Sequence, residues 1–350
     1  MTEVLHFAGL FLLTNIGGGA VVAAFLLGRN DHLRLSAWPL VLVGFGLGPF
    51  IISLLLYYAL VLWPGLPTPV LATLPLLIFG VVAFVARGWK RLWAMFCGLP
   101  ALFLRDRTLW WLALGSVLLL VVAVVMLIFQ PLVYHDALEY AMQGQVFLRD
   151  RAIVYQRHHY DALSGFYYVG LHGFSFPLLF TWEGFAGDLL NVEGDLWTRS
   201  ITPWYTCLLV FFTWSLARRI HEAAALTTGF AMTAPLGFML LLTIYHLDSY
   251  RLFFFGASVA AFVALLQAPS SSRAWLFGVL CGAQAFIHSI GAILGGALWF
   301  LVILMLPVPW SQRLRWCGSA AVAILFMGGI HYLLDTFIGT GWIFQDIIWF

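Results

Sequence analysis

The residues best suited to chemistry lie in one polar stretch, Tyr134-His135-Asp136-Ala137-Leu138-Glu139-Tyr140, which follows a long apolar run. A carboxylate such as Asp136, flanked by His135 and Glu139, can act as a general base that deprotonates a hydroxyl or amine acceptor. Asp136 and Glu139 also match the Asp-x-x-Glu capping box, in which the first carboxylate accepts an N–H at a helix start. Both interpretations stay open, because a cap can hold a base in place.

A second candidate is the short polar turn Tyr245-His246-Leu247-Asp248-Ser249-Tyr250-Arg251 between two apolar runs. Asp248 and Arg251 are three residues apart, so the simplest interpretation is an ion pair at a helix end. Alternatively, both residues line a cavity shared with Asp136, since ionisable groups at membrane boundaries often line substrate paths. Arg251 would then bind a phosphate oxyanion through its forked N–H groups.

The composition places these candidates in a membrane protein. Of 350 residues, 63% are hydrophobic and 9% are charged, whereas soluble domains carry about a quarter charged residues. No basic run indicates nucleic acid as a partner. The four cysteines have no CxxC spacing and are interpreted as small core residues. The N-terminus lacks the basic region of a cleavable signal, so the first apolar run is expected to be a retained span.

The sequence predicts an all-α polytopic membrane protein with about ten transmembrane helices and a large outer loop carrying interfacial helices. The hairpin at His288 is preferred to one helix, which would be roughly 50 Å long. Residues 94–106 are expected to form an interfacial helix. The ten expected spans are 4–28, 37–63, 69–86, 108–130, 201–217, 223–244, 252–268, 274–288, 291–306 and 316–334.

Lys and Arg set the orientation. Alternating spans with the N-terminus outside place twelve of the seventeen cationic residues in the cytoplasm, as the positive-inside rule requires. The other five lie in the outer loops, and they are Arg149, Arg151, Arg157, Arg199 and Arg251. Eight of the fifteen acidic residues fall in the outer region 134–199. Ligand chemistry is therefore expected on the extracytoplasmic face.

The outer region 134–199 is too long for a simple connection. Residues 137–149 have helical periodicity and predict a helix along the membrane surface. The aromatic stretch from Phe166 to Phe176 is typical of an interfacial belt, with a sugar-stacking platform as the alternative. The segment 178–185 predicts a second interfacial helix or a re-entrant one.

Seven of the ten histidines fall on the outer half in this orientation: His135, His158, His159, His172, His246, His288 and His331. They form no HxH or HxxxH pair, so a divalent metal is not favoured and no cofactor is expected. Hydrogen bonding or substrate contact is the preferred role.

Four segments together resemble the GT-C superfamily of polytopic glycosyltransferases, particularly bacterial protein mannosyltransferases and lipid A aminoarabinose transferases. The resemblance runs in order over about 109–345. The segments are His135-Asp136-Ala-Leu-Glu-Tyr140, Gly173-Phe-Ser-Phe-Pro177-Leu-Leu, Tyr245-His-Leu-Asp248 and Gly278-Val-Leu-Cys-Gly282-Ala-Gln-Ala-Phe-Ile-His288.

The resemblance implies an inverting enzyme of the bacterial inner membrane that moves a sugar from a polyprenyl-phosphate carrier to a glycan, lipid or protein acceptor outside. It implies Asp136 as general base, with Glu139 beside it. Residues expected to contact donor or substrate are His135, Tyr140, Arg199, His246, Asp248, Arg251 and His288. One departure is that His288-Ser289 stands where the family has Thr-Lys, which removes a positive charge near the lipid phosphate.

The predicted organisation is a three-span N-terminal addition with the interfacial helix, residues 1–107, before a GT-C-like transmembrane core, residues 108–350. Two other functions remain open. One is a secondary transporter in which Asp136, Glu139 and Asp248 relay protons, although no inverted repeat is evident. The other is a non-catalytic assembly subunit of the same fold, which the missing Lys favours.

Overall fold

The computed structural model describes residues 2–129, 135–153, 160–161, 166–167, 173–221 and 247–338. These residues are helical except for loops and one antiparallel pair of two-residue strands, β1 (Tyr160–Asp161) and β2 (Phe166–Tyr167). The expected span 223–244 lies outside the described residues.

Among the described residues, eleven helices precede residue 218. They are α1 (Thr2–Phe11), α2 (Gly19–Gly28), α3 (Asn30–Leu33), α4 (Ala37–Leu62), α5 (Thr68–Val85), α6 (Trp89–Arg105), α7 (Arg107–Phe129), α8 (His135–Asp150), α9 (Ser175–Leu190), α10 (Leu196–Arg199) and α11 (Ile201–Ala217). The π-helical segment Leu12–Gly18 joins α1 to α2. Asp106 starts α7, because its Oδ1 accepts the N–H groups of Thr108 and Leu109 at 3.0 and 3.2 Å.

Five further helices follow in the described residues: α12 (Asp248–Gln267), α13 (Ser271–Ile287), α14 (Ser289–Met305), α15 (Trp310–Ile324) and α16 (Ile330–Ile338). The π-helical segment Leu325–Gly329 joins the last two.

Seven segments of the described residues are long and apolar enough to cross a membrane. They are Thr2–Gly28, Ala37–Leu62, Thr68–Val85, Thr108–Met126, Leu196–Ala217, Asp248–Gln267 and Trp310–Leu334. Each coincides with an expected span, so the prediction of a helical membrane protein is confirmed, while the count of ten stays a prediction. Helices α13 and α14 have 17 residues each, or about 26 Å of rise.

Contacts divide the chain into two compact units. Unit 1 comprises Met1–Ile52, Thr68–Leu138 and Glu183–Phe253, and unit 2 comprises Ser53–Pro67, Glu139–Trp182 and Phe254–Phe350. Both units draw residues from either side of the predicted boundary at 107/108. That division by sequence order stays a prediction.

Close helix packing in unit 1 depends on glycine. A Cβ at Gly44 of α4 would lie 2.5 Å from the Cα of Ala23 in α2, and one at Gly48 would lie 2.8 Å from the backbone N of Gly19. Small residues four positions apart let two helix backbones approach in this way. The first span and α4 therefore form a tight pair.

Glycines also allow close helix packing in unit 2, at α13. A Cβ at Gly278 would lie 2.4 Å from the Ala320 carbonyl oxygen, and one at Gly282 would lie 2.8 Å from that of Ile324. The glycines of the fourth sequence segment are thus a packing face for α15.

The chain reverses at His288, which has extended backbone angles between α13 and α14. A Cβ at Gly291 would meet the Gln284 carbonyl oxygen at 2.1 Å, and one at Gly295 would meet that of Cys281 at 3.2 Å. Later residues of α14 thus contact earlier residues of α13, so the two helices pack antiparallel. The predicted helical hairpin is confirmed.

Candidate functional site

Helix α8 carries the first group of predicted site residues. It begins at His135, so Asp136 lies in its first turn. The side chains of His135 and Asp136, and the whole of His246, lie outside the described residues. The capping-box and general-base interpretations of Asp136 therefore stay predictions. Glu139 is half-buried one turn further on.

The inward face of α8 packs on α9. Tyr140 is buried, and its ring meets Phe176 edge-on at a centroid distance of 5.5 Å. A Cβ at Gly144 would lie 2.7 Å from the Pro177 carbonyl oxygen. The Thr181 hydroxyl donates to one of the carbonyl oxygens of Gly144 and Pro177, each 3.0 Å away. The first sequence segment thus lies directly on the second, and Tyr140 serves this packing.

The second segment also contacts the end of α13. A Cβ at Gly173 would lie 2.2 Å from the Phe286 carbonyl oxygen and 2.6 Å from the carbonyl carbon of Ile287, so only glycine fits there. Next to it, the Ser175 hydroxyl lies 2.8 Å from the hydroxyl of Ser53, and both are buried. Segments one, two and four of the resemblance therefore meet within unit 2.

An aromatic cluster lies where these segments meet. It consists of Tyr57, Phe147, Phe174, Phe286 and His331. Phe174 is its centre, with ring centroids 5.9, 5.8 and 5.3 Å from Tyr57, Phe147 and His331. His331 is fully buried and hydrogen-bonds through Nδ1 to the Gly328 carbonyl oxygen. That bond requires the proton on Nδ1. His331 is therefore a packed core residue.

His288 is half-buried and forms the N-cap of α14. Its Nδ1 accepts the Ile290 N–H at 3.1 Å. An imidazole that accepts at Nδ1 is neutral there, whereas a protonated imidazole donates at both nitrogens. His288 therefore cannot be positively charged while it forms this cap.

Asp248 and Arg251 pair with each other at the start of α12. Arg251 Nη2 lies 2.5 Å from Asp248 Oδ1, and the two side chains are 28% and 35% exposed. Between them Tyr250 is buried, stacked on Tyr205 at 4.2 Å. The simpler interpretation, an ion pair at a helix end, describes this contact. Arg251 still has further N–H groups that can reach an anion.

Of the two arginines predicted as site residues, Arg199 is the less exposed, at 8%. Its Nη1 lies 3.3 Å from Asp195 Oδ1, one turn earlier in the chain. Arg199 and Arg251 thus each pair with an acid of their own segment.

Sequence reasoning missed the most buried carboxylate among the described residues, Glu183 of α9, which is 1% exposed. Its Oε1 accepts the Trp197 N–H at 2.9 Å and its Oε2 accepts the Thr198 N–H at 2.8 Å. Burial raises the pKa of the Glu183 carboxyl to about 8, although these hydrogen bonds act to lower it. A carboxyl with such a pKa can change charge near neutral pH.

Glu183 belongs to a polar cluster of Thr14, Asn15, Glu183, Trp197 and Thr198. The indole N–H of Trp197 donates to Asn15 Oδ1 at 2.9 Å. The Thr14 hydroxyl donates to one of two oxygens, the Leu10 carbonyl oxygen at 2.7 Å or Asn15 Oδ1 at 2.8 Å. Thr14 and Asn15 lie in the π-helical segment, a local geometry frequent at functional sites. The available signal was an acid inside the apolar run 178–185.

No three His, Cys, Asp or Glu side chains within the described ranges are placed to hold a metal ion. Of the predicted site residues, Asp136, Arg199, Asp248 and Arg251 belong to unit 1, whereas Glu139, Tyr140 and His288 belong to unit 2. The chain matches no protein-family model, no curated protein and no solved structure.

Proposed function

We propose that this chain is an integral-membrane glycosyltransferase of GT-C type, in a bacterial inner membrane. It transfers a sugar from a polyprenyl-phosphate carrier to an acceptor of the cell envelope on the extracytoplasmic face, with inversion. One observation supports the proposal most. Three of the sequence segments, distant in the chain, meet through the contacts of Tyr140 with Phe176 and of Gly173 with Phe286.

The proposed reaction is a single displacement. The Asp136 carboxylate takes the proton of the acceptor hydroxyl, and the acceptor oxygen bonds to the anomeric carbon. The bond between that carbon and the phosphate oxygen breaks, and polyprenyl phosphate leaves. Aligning the three groups supplies much of the rate. Arg251 is proposed to stabilise the leaving phosphate, with Asp248 holding its guanidinium at 2.5 Å.

The decisive test replaces Asp136 by Asn in the full-length protein in membranes supplied with short-chain polyprenyl-phosphate mannose or aminoarabinose. We expect transfer to fall by about 10²–10⁴-fold, the usual contribution of a general base. The matched control is Asp150→Asn at the other end of α8, where Asp150 lies 2.7 Å from Arg149 in an exposed pair. Full activity of Asp136→Asn would remove Asp136 from the base role.

The His288 cap favours a second candidate, a non-catalytic assembly subunit of the same fold. A neutral His288 that accepts from Ile290 at 3.1 Å adds no positive charge for a lipid phosphate. Absence of polyprenyl-phosphate binding by the purified wild type at any concentration, together with no transfer from either donor, would select this candidate. Substrate movement into liposomes without a lipid-linked donor would instead indicate a transporter.

A further inference from the structure

A cavity of about 380 Å³ lies in unit 1, far along the chain from every predicted site residue. Its volume falls in the range of small-molecule sites, roughly 300–1,000 Å³. The cavity is formed at the ends of α2 and α5 and the start of the segment that follows each. Its lining residues are Phe25, Gly28, Arg29, His32, Val85 and Arg87.

Two glycines bring the basic residues together. A Cβ at Gly88 would lie 2.1 Å from the Ala24 carbonyl oxygen and 2.7 Å from the Gly28 backbone N. Residues 28 and 88 therefore touch through their backbones. Arg29 directly follows Gly28, and Arg87 directly precedes Gly88. The contact between the two glycines therefore places both arginines at the same cavity.

The cavity has a positive lining. Two arginines and a histidine line it, and none of the lining residues that the structure describes is acidic. The nearest acid in the chain, Asp31, is held by Arg91, whose Nη2 lies 3.0 and 3.3 Å from the two carboxylate oxygens. Arg91 also donates to the Leu27 carbonyl oxygen at 3.1 Å. Asp31 is thus neutralised by a residue outside the lining.

The cavity lies at the ends of two candidate spans. Arg29 directly follows the span Thr2–Gly28, and Arg87 comes two residues after the span Thr68–Val85. The next helix, α6, exposes Trp89 and Trp93, and exposed tryptophans are enriched where a protein meets lipid headgroups. The Arg29 guanidinium also lies 5.6 Å from the centre of the Phe25 ring, which holds it at the apolar edge of the cavity.

We propose that this cavity binds the phosphate of an anionic phospholipid headgroup. The Arg29 and Arg87 guanidinium groups donate forked N–H hydrogen bonds to phosphate oxygens, and the His32 imidazole adds a donor. Phe25 and Val85 contact the first carbons of the lipid. Basic pockets between membrane helices bind phosphate headgroups in this way. The site is separate from the proposed transferase chemistry and does not depend on it.

The test is native mass spectrometry of the full-length protein in a neutral detergent, titrated with dioctanoyl-phosphatidylglycerol, dioctanoyl-phosphatidylcholine or inorganic phosphate. We expect the wild type to prefer the anionic lipid by about tenfold, and Arg29→Gln or Arg87→Gln each to weaken its binding by about tenfold, as for loss of one charge-assisted contact. The matched control is Arg105→Gln, which removes an exposed charge of α6 outside the cavity. It should bind like the wild type.

Arg29 and Arg87 are both exposed, so their replacement should leave the protein monodisperse on size exclusion. Unchanged binding of the anionic lipid by both Gln variants would overturn the proposal. Equal binding of the two lipids by the wild type would overturn it without any variant. Inorganic phosphate that displaces the lipid at equal concentration would show a site for free phosphate and reject the lipid assignment.

Discussion

Asp248 and Glu183 are two acidic residues of unit 1 that differ in solvent exposure and in their hydrogen-bond partners. Asp248 is 35% exposed and forms an ion pair with Arg251, three residues later in the same helix. Glu183 is 1% exposed and accepts two backbone N–H groups from a segment that begins 13 residues later in the chain, at Leu196. Exposed ion pairs contribute little to stability, whereas unsatisfied buried donors cost much. Sequence spacing singled out the energetically weaker of the two sites.

The largest expected effect is a dependence of the free energy of unfolding on pH that comes from Glu183. The pKa of Glu183 is raised from 4.5 to about 8 in the folded protein, so between these values the folded state keeps a proton that the unfolded state has released. Stability from this group is full below pH 4.5 and is lost as pH rises to about 8, by up to about 1.4 kcal/mol per pH unit. Thermal unfolding in detergent from pH 5 to pH 9 measures it.

The matched variant is Glu183→Gln, which does not titrate. We expect its stability to change less with pH than that of the wild type, and the difference between the two curves isolates Glu183 from the histidines. Parallel curves would show that Glu183 has the same pKa in the folded and unfolded states.

The next effect is the loss of the carboxyl itself. Glu183→Ala leaves the N–H groups of Trp197 and Thr198 without their acceptor, at a cost of about 1–3 kcal/mol each. We expect the free energy of unfolding at neutral pH to fall by about 3 kcal/mol, measured by unfolding in denaturant. The control is Glu193→Ala, an exposed acid near the same segment. Equal losses in the two variants would contradict a structural role for the buried carboxyl.

The smallest effect is expected at the exposed pair. Asp248→Asn removes the partner of Arg251 at a partly solvated position, which should change the free energy of unfolding by less than about 1 kcal/mol. The same denaturant experiment compares it with Glu183→Ala. A larger loss of unfolding free energy for Asp248→Asn than for Glu183→Ala would contradict this ranking. It would indicate that the ion pair stabilises more of the protein than the start of its own helix.

Much of the fold was predictable because apolar length is a local property. Seven expected spans coincide with helices of the structure, and the reversal at His288 followed from length alone. The expected interfacial helix 94–106 overlaps α6, which begins earlier, at Trp89, and ends at Arg105. This earlier start, where the indole N–H of Trp89 donates a hydrogen bond to the Ala83 carbonyl oxygen at 3.0 Å, was not predicted from the sequence.

The site was less predictable because its contacts join distant residues. The sequence marks Tyr140, Gly173 and His288 as members of a resemblance, but not that Tyr140 packs on Phe176 or that His288 caps a helix. The cavity at Arg29 and Arg87 depends on the backbone contact between Gly28 and Gly88, 60 residues apart. No local pattern reports such a contact.

By itself the sequence determined that the chain is a helical membrane protein, because its apolar runs are long enough to span lipid and the polar backbone N–H and C=O groups of such runs must be hydrogen-bonded to each other there, as they are in a helix. It also determined which residues can ionise. The tertiary structure alone decided what those residues do, since a carboxyl's solvation and partners come from packing. Packing placed Glu183 away from water against two N–H groups and left Asp248 half in solvent beside Arg251.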